Sequence, residues 1–282
     1  MRKINYSKTD AISFMNDVIN SKKKRKSDLS YKERCIDILN SSLDRIKLYN
    51  SAFYENSLET LDKERREIRE HNDFVSLYDY DTKPFKILKE QAVIDENKRR
   101  NDDCPICGLN KVNTLDHFLP KEEFVSYSIH PRNLIPCCSR CNSHKSKSWH
   151  DNGKRKIWNV YLNELPQEKY LFCSISMNNE MPIASYYIKQ GKLKNEVYEI
   201  IESTFNKLHL IQYYNEASDK IITDFIRIIK MHISLYTKYN IDDNIELIRH
   251  TIDNCDVNDR IFVLQDAFLS SKEAIDYIKR NI

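Results

Sequence analysis

The chain has 282 residues, enough to bury one large or two modest cores, with 40% apolar and 31% charged residues and a mean hydropathy of −0.65. Only 3 Gly and 7 Pro are present, which argues against an all-β fold built on tight turns. No apolar run approaches the roughly 20 residues of a membrane span. The opening MRKINYSKTD lacks the apolar stretch of a secretory signal, so the expected location is the cytoplasm, with no membrane contact.

Taken in order, residues 9–21 can form a short helix with Ile12, Val18 and Ile19 apolar, and KKKRK at 22–26 makes a charged break that reads as a solvated linker or a nucleic-acid contact. From Ser30 the pattern is helical: Tyr31, Cys35, Ile38, Leu39, Leu43 and Ile46 recur at three- and four-residue steps. A second charged helix is expected to about Glu70. DFVSLYDYDTKP then reads as a connection, and Pro84 opens a helix over 84–100 that carries Phe85, Leu88, Ala92 and Val93 inward. A basic face at Lys98, Arg99 and Arg100 closes this N-terminal helical subdomain, 1–100.

Residues 101–165 form the centre of the chain. Of eight cysteines, five fall between Cys104 and Cys141. In a reducing compartment such clustering reads as metal ligands before disulfides. Cys104-x-x-Cys107, followed by Gly108, has the spacing of a zinc knuckle, and Cys138-x-x-Cys141 supplies the partner pair of a closed, structural four-thiolate zinc site. Cys137 is the spare, and a Cys137–Cys141 pair is the alternative. Cys35, Cys173 and Cys255 stand alone and read as small core residues. The net charge is only +3, yet from Cys104 to Leu165 nine Lys/Arg face five Asp/Glu. That surplus of four lies where a polyanion would dock, or is a chance run on a solvated face.

Between the cysteine pairs lie Asp116-His117 and Asn133, and Asn142 follows Cys141 directly. Asp116 and the side-chain carbonyl of Asn142 are hard oxygen donors suited to Mg²⁺ or Mn²⁺. Neighbouring residues on a strand point to opposite faces, which frees His117 to act as a general base. A helix from about Ser139 carries Asn142 and Lys145 on one face. Asn133 can hold the His117 tautomer, and Lys145 can steady a phosphate as a point charge. His144 is an alternative ligand to Asn142, whereas His130 and His150 read as surface residues. For a phosphodiester, these parts compose metal-assisted hydrolysis.

The pattern DH…N…N-x-x-K enclosed by two C-x-x-C pairs resembles the HNH endonucleases with their ββα-metal fold, in the form that carries a four-cysteine zinc. The resemblance covers about 45–60 residues. It implies Asp116 and Asn142 as catalytic metal ligands, His117 as general base and Asn133 as the residue that orients it. The last position is Asn rather than the His of many members, which points to Mg²⁺. The fuller phrase LDHFLPK…NLIPCCSRCNSHK looks like a bacterial subgroup from phage-defence loci. In Septu-type systems of that subgroup a small HNH protein works with an ATPase partner.

After Trp149 the chain is mixed. Residues 171–176 and 184–189 read as paired strands across a turn with Asn178, Asn179 and Pro182. Helices follow over 195–214 and 219–239, then two or three shorter ones, so 166–282 is a hairpin plus a C-terminal helical subdomain. The expected fold class is α+β, mostly helical, with a central ββα-metal module flanked by helical subdomains. The expected function is metal-dependent cleavage of DNA, with an ATPase partner and homodimerisation as expected assemblies. The competing reading is a non-catalytic zinc ribbon that binds nucleic acid or protein, with Asp116-His117 merely structural.

Overall fold

The computed structural model describes residues 1–23, 28–79, 81–94, 98–252 and 256–281. Most of the basic run at 22–26, part of the helix expected over 84–100, and Cys255 lie outside the described residues. The protein is α+β: helices make up about half of the chain, and the strands form three two-stranded antiparallel sheets. No helix among the described residues is long and apolar enough to cross a membrane. The chain divides into two compact units, Met1–Leu165 and Pro166–Ile282.

The first unit opens with α1 (Ala11–Ser21), whose N-terminus is capped by the Asp10 carboxylate accepting from Ser13 N–H at 2.9 Å. Ala11, Phe14, Met15, Val18 and Ile19 fall on one stripe and are all buried. The apolar period from Ser30 is split at Ser42 into α2 (Tyr31–Ser41) and α3 (Leu43–Tyr54). The Ser42 hydroxyl donates back to Ile38 O at 2.6 Å, the kind of side-chain bond that competes with helix continuation.

The second charged helix expected to Glu70 does not form as one element. Residues 61–67 are non-helical, and α4 runs over Ile68–Val75, so the start of the expected connection is helical. Helix α5 (Lys83–Ala92) starts with Pro84 in its first turn and stops well before residue 100; Ile94 bridges Arg100 instead.

Next come β1 (Thr114–His117) and β2 (Leu134–Cys137), antiparallel with Asp116 opposite Ile135 and His117 opposite Leu134. The seven-residue α6 (Ser139–Lys145) follows at once, completing a ββα arrangement. A small hairpin, β3 (His150–Asp151) and β4 (Lys154–Arg155), turns through Asn152 and Gly153, both left-handed at φ 49° and 72°.

The N-terminal helices and this ββα arrangement share one apolar core. Phe14, Val18, Ile38, Ile46, Phe74 and Phe85 cluster with Leu115, Val125, Ile129 and Leu134. The 1–100 segment is therefore packed as part of one unit with 101–165 rather than as a body of its own. A four-residue strand pair cannot bury both faces by itself, and the helices supply the missing wall.

In the second unit, β5 (Leu171–Asn178) and β6 (Met181–Ile188) pair over their full length around Asn179 and Glu180, both at positive φ. Pro182, expected in the turn, lies in β6 opposite Met177. The helix expected over 195–214 is broken at His209, φ 54°, into α7 (Asn195–Lys207) and α8 (Leu210–Glu216). Then follow α9 (Ser218–Leu235), α10 (Ile241–Ile252), α11 (Arg260–Ser270) and α12 (Lys272–Arg280).

Candidate metal centre and active site

The sulfurs of Cys104, Cys107, Cys138 and Cys141 all lie within 4.8 Å of one another and all four residues are buried. A tetrahedral ion with Zn–S of ~2.3 Å sets its sulfurs about 3.8 Å apart, and Cys107 Sγ and Cys138 Sγ are separated by 3.8 Å. Local folding explains the convergence. Gly108 takes φ 63° and donates to Cys104 O, closing the first knuckle, while Cys138 caps α6 and places Cys141 one turn on.

Backbone amides of Cys138, Leu109 and Cys141 point at Cys104, Cys107 and Cys138 sulfurs at 3.4, 3.5 and 3.4 Å. Contact among the four thiols draws Cys107 and Cys138 below the ordinary thiol range and pushes Cys104 and Cys141 above it. All four ionise together only when a cation supplies compensating charge, so the donor set fits zinc. Cys137 lies outside this group; it is fully buried, and burial pushes its thiol well up.

On β1, Thr114 and Asp116 share one face and Leu115 and His117 the other. Helix α6 lies over the first face. Asn142 Nδ2 donates to Thr114 Oγ1 at 3.3 Å, leaving its carbonyl oxygen as a donor to a cation, and Lys145 Nζ sits 3.0 Å from Asp116 Oδ2. His144, two residues from Asn142 on the seven-residue α6, is half-buried.

The expected role of Lys145 needs correction. It is 1% exposed, and its ammonium also donates to His117 O at 2.6 Å. A lysine so committed holds the carboxylate rather than a substrate phosphate. Asp116 is 5% exposed; burial pushes its carboxyl up, and Lys145 pulls it back.

His117 is 9% exposed, with its ring edge-on to Tyr78 at 4.4 Å. Its Nε2 lies 2.7 Å from Ser128 O. A carbonyl only accepts, so Nε2 carries the proton and Nδ1 keeps a lone pair. Burial pushes the imidazole down to about 3, with Lys121 and Lys145 adding to the effect. Ser128, not Asn133, thus sets the tautomer.

Asn133 does something else. Its Oδ1 accepts from Leu119 N–H at 2.8 Å, and its Nδ2 donates to Leu119 O and Tyr127 O at 3.1 and 3.0 Å. It closes the loop over 118–133 that carries Ser128.

Further residues at the site were not singled out by sequence reasoning. Lys121 is half-buried, with Nζ 5.3 Å from the Tyr78 ring centroid and its charge felt by His117. Tyr78, from the stretch expected to be a plain connection, donates to Leu115 O. His130, expected at the surface, is fully buried; it lies 4.2 Å from the Tyr49 ring and accepts from Arg132 N–H at 3.2 Å. His150 is half-buried and stacks on Trp149 at 4.0 Å.

The chain is similar to Septu protein PtuB. Over 119 residues it is 28% identical to that protein of Bacillus thuringiensis, covering 42% of this chain and 38% of the relative. Over 61 residues it is 31% identical to protein ea31 of Escherichia phage lambda, covering 21% and 19% of the two chains. The chain thus spans less than two fifths of the length of these relatives. No family model and no solved structure matches it.

Cys138→Ser should release the bound zinc and lower the melting temperature, because a four-thiolate ion contributes directly to folding. Cys137→Ser should keep a full equivalent of zinc by atomic emission; loss of zinc in that variant would mean the wrong sulfur has been assigned.

The buried histidines set a pH dependence. The folded state keeps His117 and His130 neutral, both being held below the ordinary value of 6.5. Below that value the unfolded chain binds more protons, so stability falls as pH falls. Between about pH 7.5 and 5.5 each histidine should cost about 1.4 kcal/mol. Urea unfolding across that range should show the slope, and His130→Phe should remove roughly half of it.

Proposed function

We propose that this protein is a divalent-metal-dependent endonuclease of the HNH kind that hydrolyses phosphodiester bonds in DNA and serves anti-phage defence beside an ATPase partner. The defence context is supported by the similarity to Septu protein PtuB. The chemistry is supported by one observation above the rest: His117 is held as the Nε2–H tautomer by Ser128 O, which leaves Nδ1 as a base. It stands at the end of the strand whose Asp116 meets the Asn142 and Lys145 face of α6.

Asp116 and Asn142 would hold the catalytic cation, Mg²⁺ or Mn²⁺. Two protein oxygens suit an ion that keeps most of its shell for water and substrate phosphate. When bound, it would supply charge stabilisation at a non-bridging oxygen and at the leaving 3′-oxygen. His117 Nδ1 takes the proton of a water aligned with the scissile bond. The water oxygen bonds to phosphorus, and the bond to the 3′-oxygen breaks. The phosphates of a docked backbone raise the His117 pKa toward neutrality, where a base serves best. Lys121, half-exposed beside His117, takes the phosphate-contacting role that burial denies to Lys145.

The competing reading, a zinc ribbon that binds without cleaving, is favoured by the Lys145–Asp116 pair, since a buried Asp tied to Lys is a common structural device. Cleavage of supercoiled plasmid separates the two. Wild type with Mg²⁺ or Mn²⁺, with the neighbouring ATPase present if the chain alone is silent, should nick DNA. His117→Ala should lose about 10²–10⁴-fold of that rate. Equal rates for the two proteins would overturn the catalytic assignment.

Lys121→Ala should weaken DNA binding and lower the salt slope of log K by about one. Lys145→Met should leave DNA contacts intact but strand a buried carboxylate, destabilising the fold by about 3–5 kcal/mol in urea unfolding.

A further inference from the structure

The 118–133 loop that carries Ser128 is clamped from outside the ββα arrangement. The clamp comes from the non-helical segment over 61–67, part of the stretch expected to be a second charged helix. Glu64 is half-buried, with its side chain 7% exposed. Its Oε2 accepts from Ser126 N–H at 2.8 Å, and its Oε1 accepts from the Ser126 hydroxyl at 2.8 Å. Its own backbone N–H donates to Glu123 O at 2.8 Å. Three bonds from one residue therefore hold the loop at two points, Glu123 and Ser126.

The carboxylate is itself held. Arg66 Nε donates to Oε1 at 2.6 Å, and Arg45 Nε lies 3.6 Å from Oε2. Arg66 also donates to Ser126 Oγ and Ser42 Oγ, at 3.1 and 2.7 Å, tying the clamp to the junction of α2 and α3.

From Ser126 the path to His117 is short. Residues Val125–Tyr127 form a single tight turn, closed by Ser128 N–H donating to Val125 O at 3.0 Å. The next carbonyl, Ser128 O, is the acceptor for His117 Nε2. Asn133 grips the same turn from the other side through Tyr127 O. The carbonyl that chooses the His117 tautomer thus stands between two side chains, one inside the ββα arrangement and one 53 positions before the histidine.

We propose that Glu64 is a positioning residue for His117: it holds the Ser126–Ser128 turn so that Ser128 O selects the Nε2–H tautomer. The proposal rests on the reading of His117 as general base for its catalytic consequence, while the tautomer link stands on geometry alone. A ring free to turn or to exchange tautomers presents its lone pair to the water only part of the time, and small misplacements of a base are expensive.

The test uses the full chain, zinc-loaded and labelled with ¹⁵N-histidine, with ¹⁵N–¹H spectra that tell a protonated ring nitrogen from a lone-pair one. Wild type should show His117 as a single Nε2–H tautomer. Glu64→Ala should give mixed or exchanging tautomers. In plasmid nicking its kcat should fall between about tenfold and a hundredfold, with KM for DNA and zinc content unchanged. Glu64→Gln, which keeps an acceptor for Ser126 N–H, should restore much of both readouts.

Asp73→Ala serves as the control for general destabilisation. It breaks another buried carboxylate–arginine bond of the first unit, Asp73 to Arg34 at 2.6 Å, and should leave the His117 spectrum unchanged. If Glu64→Ala does not fold, Glu64→Met, which fills the space but offers no acceptor, removes both side-chain bonds to Ser126 and should shift the tautomer in the same way. A folded Glu64→Ala or Glu64→Met with a wild-type His117 spectrum overturns the proposal. A shifted spectrum in a protein whose wild type never cleaves DNA upholds the link and removes the nuclease reading instead.

Discussion

Helix α6 is seven residues long, too short to persist on its own propensity. What holds it is the sulfur cluster, with Cys138 at its cap and Cys141 in its first turn, joined to a knuckle more than thirty positions earlier. Every ligand candidate on α6 inherits its place from that constraint. Asn142 follows Cys141 directly, and Lys145 lies one turn further on the same flank. If the cluster opens, the face that meets Thr114 and Asp116 goes with it. A zinc held there would do no chemistry itself in the reading argued above, yet it would set the distance between β1 and α6.

The other half depends on a different device. Residues 118–133 make a long excursion between two four-residue strands, and such a loop has no regular ladder to keep it in place. Side chains do the work instead: Asn133 from within, Glu64 from the N-terminal segment. The N-terminal helices are accordingly more than a shell. The helices and the segments between them bury the outer face of β1 through Leu115, supply Tyr78 against His117, and carry Arg45 and Arg66 beside Glu64. A catalytic function for this region would rest on both supports together, since misplacing either the α6 face or the Ser128 carbonyl separates groups that must act on one phosphate.

The sequence was most legible where chemistry is local. Cys-x-x-Cys spacing, the Asp-His alternation on a strand and the helix after Cys138 follow from periods of two and 3.6 residues, and the structure brings those groups together. It was least legible where a side chain's partner lies far along the chain. Lys145 looked like a solvated point charge because nothing nearby in sequence shows that Asp116 waits for it. His130 looked exposed because the partner that covers its ring is Tyr49, eighty-one positions earlier. Asn133 was expected to contact the His117 ring, but its bonds run to backbone groups that no side-chain pattern records. The splits at Ser42 and His209 were hidden for a related reason: the apolar period runs on through a one-residue change of direction.

Burial also alters the electrostatic argument. The surplus of four positive charges between Cys104 and Leu165 counts Arg132, Lys145 and Arg155, which are all buried, against a buried Asp116. Arg132 lies over the rings of Tyr6, Phe53 and Tyr54 and donates to Asn50. Arg155 is paired with Glu59. Setting those aside leaves six basic residues and four acidic ones at the surface of this stretch, a surplus of two. A margin that small does not steer a polyanion by net charge; its placement has to do so. Lys121 is then the informative cation of the set, because it combines partial exposure with proximity to His117. In the proposed reading, attraction of a backbone phosphate to that point would bring the scissile bond toward His117, so that the binding step and the proton transfer would share one corner of the fold.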